Sequence, residues 1–147
     1  WQLAGSPDPG NPASITEEDL AAWSNDIRYL GEVADIAKLY SESHIVALPS
    51  YREGLPKSLV EAAACGRAVV TTDTVGCRDA IEPGVTGLLV DVGSAESLYE
   101  GVTKLTDDDE LRHCMGQAGH QLAHEEFDER VIAKKQVALY TELLASS

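Results

Sequence analysis

The chain reads as an α/β domain built on a parallel β-sheet with helices on both faces. Two observations predict it. Short apolar runs such as Ile45-Val46-Ala47-Leu48 and Ala68-Val69-Val70-Thr71-Thr72 alternate with helical patterns as far as Val90. Each run is apolar at successive positions rather than at every second one, which is how a strand reads when both of its faces are buried. At 147 residues there is room for one domain with a real core.

The elements follow in order. Trp1-Gln2-Leu3-Ala4-Gly5 resembles the tail of a strand, and the Pro- and Gly-rich stretch from Ser6 to Ala13 is a loop. Thr16 is placed as an N-cap, with Glu17, Glu18 and Asp19 as an acidic first turn, so a helix should run to Ser24. Ile27-Arg28-Tyr29-Leu30 reads as a strand ending at Gly31. Val33, Ile36, Ala37 and Tyr40 have the spacing of one helical face and predict a helix over Val33 to Ser41. The strand Ile45–Leu48, a helix Pro56–Cys65, the strand Ala68–Thr72 and a short helix near Arg78–Ile81 come next. Gly84-Val85-Thr86-Gly87 turns into a strand at Leu88-Leu89-Val90. From about 94 to 145 the pattern is helical, in segments near Ala95–Leu105, Glu110–His124 and Asp128–Leu144.

Composition excludes several functions. Asp and Glu number 25 against 11 Lys and Arg, a formal charge of −14, and no basic stripe is visible, so nucleic acid is not an expected partner. No run of 18 or more apolar residues occurs, and residues 1 to 20 lack a signal-peptide plan; the chain reads as cytoplasmic. Cys65, Cys77 and Cys114 are odd in number, widely spaced and without a C-x-x-C pair, so they are expected to be reduced. Asp107-Asp108-Asp109 contains a D-x-D, but it precedes Glu110-Leu111-Arg112 and reads better as a helix cap and acidic first turn than as a metal site. His120 and His124 are four apart with no third ligand nearby, and a solvated helix face is the better account; no metal is expected.

One segment points to chemistry. Residues 49 to 66, Pro49 through Gly66, carry a loop carboxylate, Glu53, and then a helix with a second carboxylate, Glu61, eight positions later. Pro56 fits the first helical position, where its missing N–H costs nothing. The cap would then be Leu55, whose side chain cannot satisfy the free N–H groups of the first turn. Those donors, with the positive end of the helix dipole, suit a phosphate; Gly54 lets it approach the backbone, and Lys57 adds a point charge. Carboxylates accept hydrogen bonds in pairs and suit vicinal hydroxyls. Two of them flanking an anion site suggest a ligand with a sugar at each end of a diphosphate, a nucleotide-sugar. The residues also admit a plainer account, with Glu53 stabilising the helix N-terminus by about 0.3–1 kcal/mol and Glu61 an ordinary solvated residue. From the residues alone both accounts stand.

The stretch from Leu48 to Val90 resembles the retaining glycosyltransferases of family 4, whose E-x7-E signature is met by Glu53 and Glu61 in the setting PSYREGLPKSLVEAAACGRAVVTTD. The resemblance implies the Rossmann-like C-terminal half of a GT-B enzyme, here a partial donor-binding domain over residues 1–147. It implies that Glu53 is the catalytic-centre carboxylate holding donor-sugar hydroxyls. Gly54 and Leu55 offer backbone N–H groups, Pro56 and Lys57 complete the donor-binding turn, and Glu61 binds the ribose. It also places the base near the loop after Gly31, pointing to Val33 and Lys38, although a core position is the better account of Val33. Gly76 and Asp79 resemble positions near the donor, and an ordinary turn explains them as well. The reaction implied is transfer of a sugar from a nucleotide-diphosphate sugar to a saccharide or lipid-linked acceptor, with no cofactor. A family member would supply, upstream of Leu3, an Arg and a Lys that clamp the diphosphate, and an N-terminal acceptor domain, the part through which any membrane contact would be made. Neither is in this sequence, so the 147 residues alone are expected to be inactive. A non-catalytic nucleotide-sugar-binding module, and more remotely an epimerase of the same architecture, remain as alternatives.

Overall fold

The structure is a computed structural model that describes residues 1–8, 10–11 and 14–145. Within the expected loop from Ser6 to Ala13, the described positions are loop or turn, while Pro9, Pro12 and Ala13 lie outside the described residues. The chain forms two compact units, Trp1–Leu39 and the remainder from Tyr40.

The first unit holds β1 (Gln2–Ala4), α1 (Glu17–Trp23), β2 (Arg28–Gly31) and the start of α2 (Ile36–Ser41). β1 and β2 pair in parallel, with Gln2 opposite Arg28 and Leu3 opposite Tyr29. The acidic start of α1 is a complete capping box: the Asp19 N–H donates to Thr16 Oγ1 at 3.1 Å, and the Thr16 N–H donates back to Asp19 Oδ2 at 2.9 Å. The Thr16 hydroxyl also donates to Asp19 Oδ2, and these bonds hold the Asp19 carboxyl below its ordinary range. The second helix begins at Ile36 rather than at Val33. Asp35 accepts the Lys38 N–H at 3.0 Å and closes the first turn there, so Val33 stays in the preceding loop. The apolar spacing was continuous across this boundary, but a side-chain cap decides where the helix starts.

The second unit is a three-stranded parallel sheet with five helices, α3 (Lys57–Ala64), α4 (Val75–Ala80), α5 (Ala95–Asp107), α6 (Asp109–Glu126) and α7 (Glu129–Ala145). Its strands are β3 (Ile45–Leu48), β4 (Ala68–Thr72) and β5 (Gly87–Val90), in that spatial order. Ile45 pairs with Ala68 and Val69 with Gly87 at the start of the two ladders. The strands therefore form two sheets, of two and three strands, because apolar runs fix strand number and burial but not pairing partners. The order β3-β4-β5 is sequential, so this sheet has no strand-order reversal of its own.

Every residue of β4 is buried, which accounts for its unbroken apolar run. Ala68 and Val70, on one face, form a cluster with Val90, with Val102 and Leu105 of α5 and with Met115 of α6. By the period of two, Val69 and Thr71 point to the other face. α3 packs on β3, β4 and α6, with Leu59 fully buried. α3 ends in a Schellman motif: Gly66, at φ 70°, donates its N–H to Ala63 O at 2.8 Å, and the Arg67 N–H reaches Ala62 O at 3.0 Å.

α4 starts at Val75, three residues before the expected Arg78, with extended Thr74 as its N-cap. Burial of Gly76, Cys77 and Ala80 draws the segment into helix despite a β-branched residue and a glycine in its first turn, both poor local signals. Asp108 is the N-cap of α6 and accepts the Leu111 N–H at 2.8 Å, as expected for the aspartate run. No residue of α7 is buried. Among the described residues no helix is long and apolar enough to cross a membrane.

Candidate functional site

The segment between β3 and α3 leaves the carboxyl edge of the sheet, the edge where open parallel sheets bind ligands. Two consecutive threonines of β4 fasten it. Thr71 Oγ1 donates to Leu48 O at 2.9 Å, and Thr72 Oγ1 donates to Ser50 O. Ser50 in turn donates its hydroxyl to Glu53 Oε1 at 2.6 Å, so the loop carboxylate is oriented from a buried strand. Both threonines lie on a fully buried strand, where satisfying their hydroxyls avoids the cost of a buried unpaired donor.

The helix start is shifted by one residue from the sequence expectation. Pro56, with φ −72° and ψ 109°, is the N-cap, and Lys57 is the first helical residue. The physical consequence is unchanged, because proline has no side chain with which to cap. Leu59 N–H turns back to Pro56 O at 3.1 Å, while the N–H groups of Lys57 and Ser58 have no acceptor among the described residues. Gly54 is exposed, and a Cβ built there would meet nothing within 4 Å. Leu55 is 50% exposed, although its side chain is apolar. Lys57 is exposed and makes no ion pair among the described residues.

Glu61 lies on the exposed side of α3, in its second turn, and a helical side chain there leans toward the N-terminus. Its charge is felt by Tyr40: burial, then Glu61, then Cys65 push the Tyr40 phenol above its ordinary pKa of 10.0. Glu53, Gly54, Leu55, Pro56, Lys57 and Glu61 are thus gathered around one helix terminus that offers free donors between two carboxylates. Such an arrangement can bind an anion by backbone N–H groups and hydroxyls by the carboxylates. Val33 and Lys38 belong to the other compact unit, Val33 half-buried in the loop after β2 and Lys38 exposed on α2.

Gly76 of α4, which the resemblance put near the donor and an ordinary turn explained as well, is buried against the motif loop, and a Cβ on it would come within 2.6 Å of Glu53 O. The ties that hold the loop escaped the reading of the sequence. Ser50, Thr71 and Thr72 carry the hydrogen bonds that fix the loop. Their signal was two hydroxyl residues closing an otherwise apolar, fully buried strand.

Other hollows exist. One of about 240 Å³ at the same sheet edge lies between Tyr51, Thr72 and the start of α5. A larger one, about 510 Å³, is lined by the C-terminal end of the motif segment, Ala64 to Gly66, with Arg67, His113, Gln117 and His120, and neither Glu53 nor Glu61 lines it. His120 is engaged there by Ala64 O at 2.7 Å and meets the His124 ring edge-on. Among the described residues no group of three or more His, Cys, Asp or Glu is placed to hold a metal ion, and Cys65, Cys77 and Cys114 form no disulfide.

This fold, with a carboxylate-flanked helix terminus at the carboxyl edge of a parallel sheet, is that of the GT-B glycosyltransferases. Residues 15–122 match the family Glycosyl transferases group 1, and the chain belongs to it. It is 37% identical over 134 residues to the N,N'-diacetylbacillosaminyl-diphospho-undecaprenol alpha-1,3-N-acetylgalactosaminyltransferase of Campylobacter jejuni, covering 91% of this chain and 35% of that protein. It is 27% identical to the capsular polysaccharide biosynthesis glycosyltransferase CapM of Staphylococcus aureus, covering 36% of that relative. The chain therefore spans little more than a third of the length of these relatives. Among solved structures, Anabaena HepE in complex with UDP superposes with a TM-score of 0.84 at 26% identity, over 99% of this chain and 40% of that one. The C-terminal domain of a group 1 glycosyltransferase, LpcC, from Francisella tularensis gives a TM-score of 0.67 at 26% identity, over 77% of this chain and 60% of that one.

Proposed function

We propose that this chain is part of the C-terminal, donor-binding half of a retaining glycosyltransferase of family 4. The observation that carries the reading is the N-terminus of α3, where the unbonded N–H groups of Lys57 and Ser58 stand between the Glu53 loop and Glu61. In this reading the diphosphate of a nucleotide-sugar sits on the helix terminus, helped by Gly54, Leu55 and Lys57. Glu53 holds donor-sugar hydroxyls at the reacting end, and Glu61 holds the ribose. The leaving diphosphate is stabilised by the helix terminus and by basic residues from the rest of the protein, with no metal.

Anabaena HepE complexes with UDP and with UDP-glucose support a uridine nucleotide-sugar as donor. The undecaprenol-linked substrate in the name of the Campylobacter relative supports a saccharide or lipid-linked acceptor, bound by a part of the protein beyond these residues and used at the cytoplasmic face of the membrane. The test is to assay the full-length protein against a panel of nucleotide-sugars and to determine the anomeric configuration of the product by NMR. Transfer with retention is expected. Inversion, epimerised donor, or tight donor binding without transfer to any acceptor would each replace this reading.

A further inference from the structure

We propose that Ser50 is a positioning residue for Glu53, engaging one oxygen of its carboxylate and leaving the other for a ligand hydroxyl; the inference rests on the donor-binding reading above. The Ser50 hydroxyl donates to Glu53 Oε1 at 2.6 Å, a length that belongs to charge-assisted O–H···O⁻ bonds. An ionised carboxylate is acceptor-only, with two oxygens. Fixing one of them fixes the plane of the group and the direction of the other. Glu53 is half-buried in a loop, where an untethered glutamate samples several rotamers.

Ser50 is itself held from below. Its carbonyl accepts from Thr72 Oγ1, and Thr72 is 1% exposed at the carboxyl end of the central strand. Thr71, whose side chain points to the opposite face of the strand, grips Leu48 O two residues earlier at 2.9 Å. The loop is thus tied at Leu48 and at Ser50 to a strand with no exposed residue, and the tie continues through Ser50 to the carboxylate. The order is Thr72, Ser50, Glu53. Each member is a polar group whose removal would leave the next one unrestrained.

The test is a double-mutant cycle in the full-length protein, reading steady-state kinetics with a nucleotide-sugar and the affinity for the free nucleoside diphosphate. Ser50→Ala should lower kcat/KM on the order of tenfold to a hundredfold, the scale of one hydrogen bond to a charged group. Nucleoside diphosphate affinity should not change, because that ligand has no sugar for Glu53 to hold. Ser50→Thr, which keeps the hydroxyl, should recover most of the loss. In a Glu53→Ala background, Ser50→Ala should cost nothing further. If Glu53→Ala is crippled while Ser50→Ala is near native, or if the two losses simply multiply, Ser50 does not act through Glu53 and the donor-site reading stands without it. If Glu53→Ala is itself near native, the donor-site reading fails and takes this inference with it.

Discussion

Gly76 of α4 lies directly against Gly54 of the motif loop: a Cβ on Gly76 would fall 1.3 Å from the Gly54 carbonyl oxygen and 2.4 Å from its carbonyl carbon. The obstacle is backbone, so no rotamer change can relieve it. Here glycine is needed for close approach of two chain segments, not for an unusual φ.

Gly76→Ala should therefore displace the loop that carries Glu53. Overpacking of this kind costs about 1–3 kcal/mol, and a displacement near 1 Å in a site costs roughly a hundredfold in turnover. Kinetics of the full-length variant with a thermal melt would show both effects. A variant with native activity and melting temperature would mean that α4 and the loop do not touch in solution.

Glu53 and Glu61 should respond differently to truncation. Glu61→Ala removes a ribose contact made equally in ground and transition states, so it should chiefly raise the donor KM and weaken nucleoside diphosphate binding. Glu53→Ala should chiefly lower kcat, with nucleoside diphosphate affinity little changed, because its partner is the sugar. Steady-state kinetics and product-inhibition constants separate the two. Folded variants with native kinetics at both positions would leave Glu53 as a helix-terminus charge and Glu61 as a surface residue.

The 147 residues by themselves should bind nucleoside diphosphates only weakly and transfer no sugar, since they cover 35% of a full-length relative and acceptor placement needs more. Amide chemical-shift mapping should move Gly54 to Glu61 at millimolar ligand. Silence there, or robust transfer by this segment alone, would contradict the proposed role.

Tyr40 should limit stability at high pH. Its phenol is raised above 10.0 by burial first and by Glu61 second, so the folded state binds the phenolic proton more tightly than the unfolded chain. Its contribution is fully present below the unfolded value of 10.0 and is lost as pH rises toward and through the folded value. Denaturant melts from pH 8 to 11 should fall on that limb, and Tyr40→Phe should flatten the fall; an unchanged slope would show that Tyr40 is hydrated.

The α1 cap should fail in acid. Asp19 is held below its ordinary 3.8 by the hydroxyl and N–H of Thr16, so its contribution is present above 3.8 and is lost as pH falls through the depressed value. Thr16→Ala should loosen the same turn at neutral pH by about 1 kcal/mol. Hydrogen exchange of the α1 amides checks both.

The sequence by itself determined the parts whose cause is local. β3 and β4 are bounded as their apolar runs are, α1 begins at the Thr16 cap, and α3 stops within one residue of the expected Cys65, just before Gly66, because side-chain period and caps act within a turn or a few residues. The carboxylates of the motif and their helix terminus were legible for the same reason. Tertiary structure decided the rest. It sorted the strands into two sheets and drew α4 three residues toward its N-terminus by burying Gly76 and Cys77. It also set Thr72 against Ser50 and Gly76 against Gly54, pairs 22 residues apart in both cases. Hydrogen-bond pairing and excluded volume between such distant segments leave no period in the chain; only the fold brings the two partners within reach of each other.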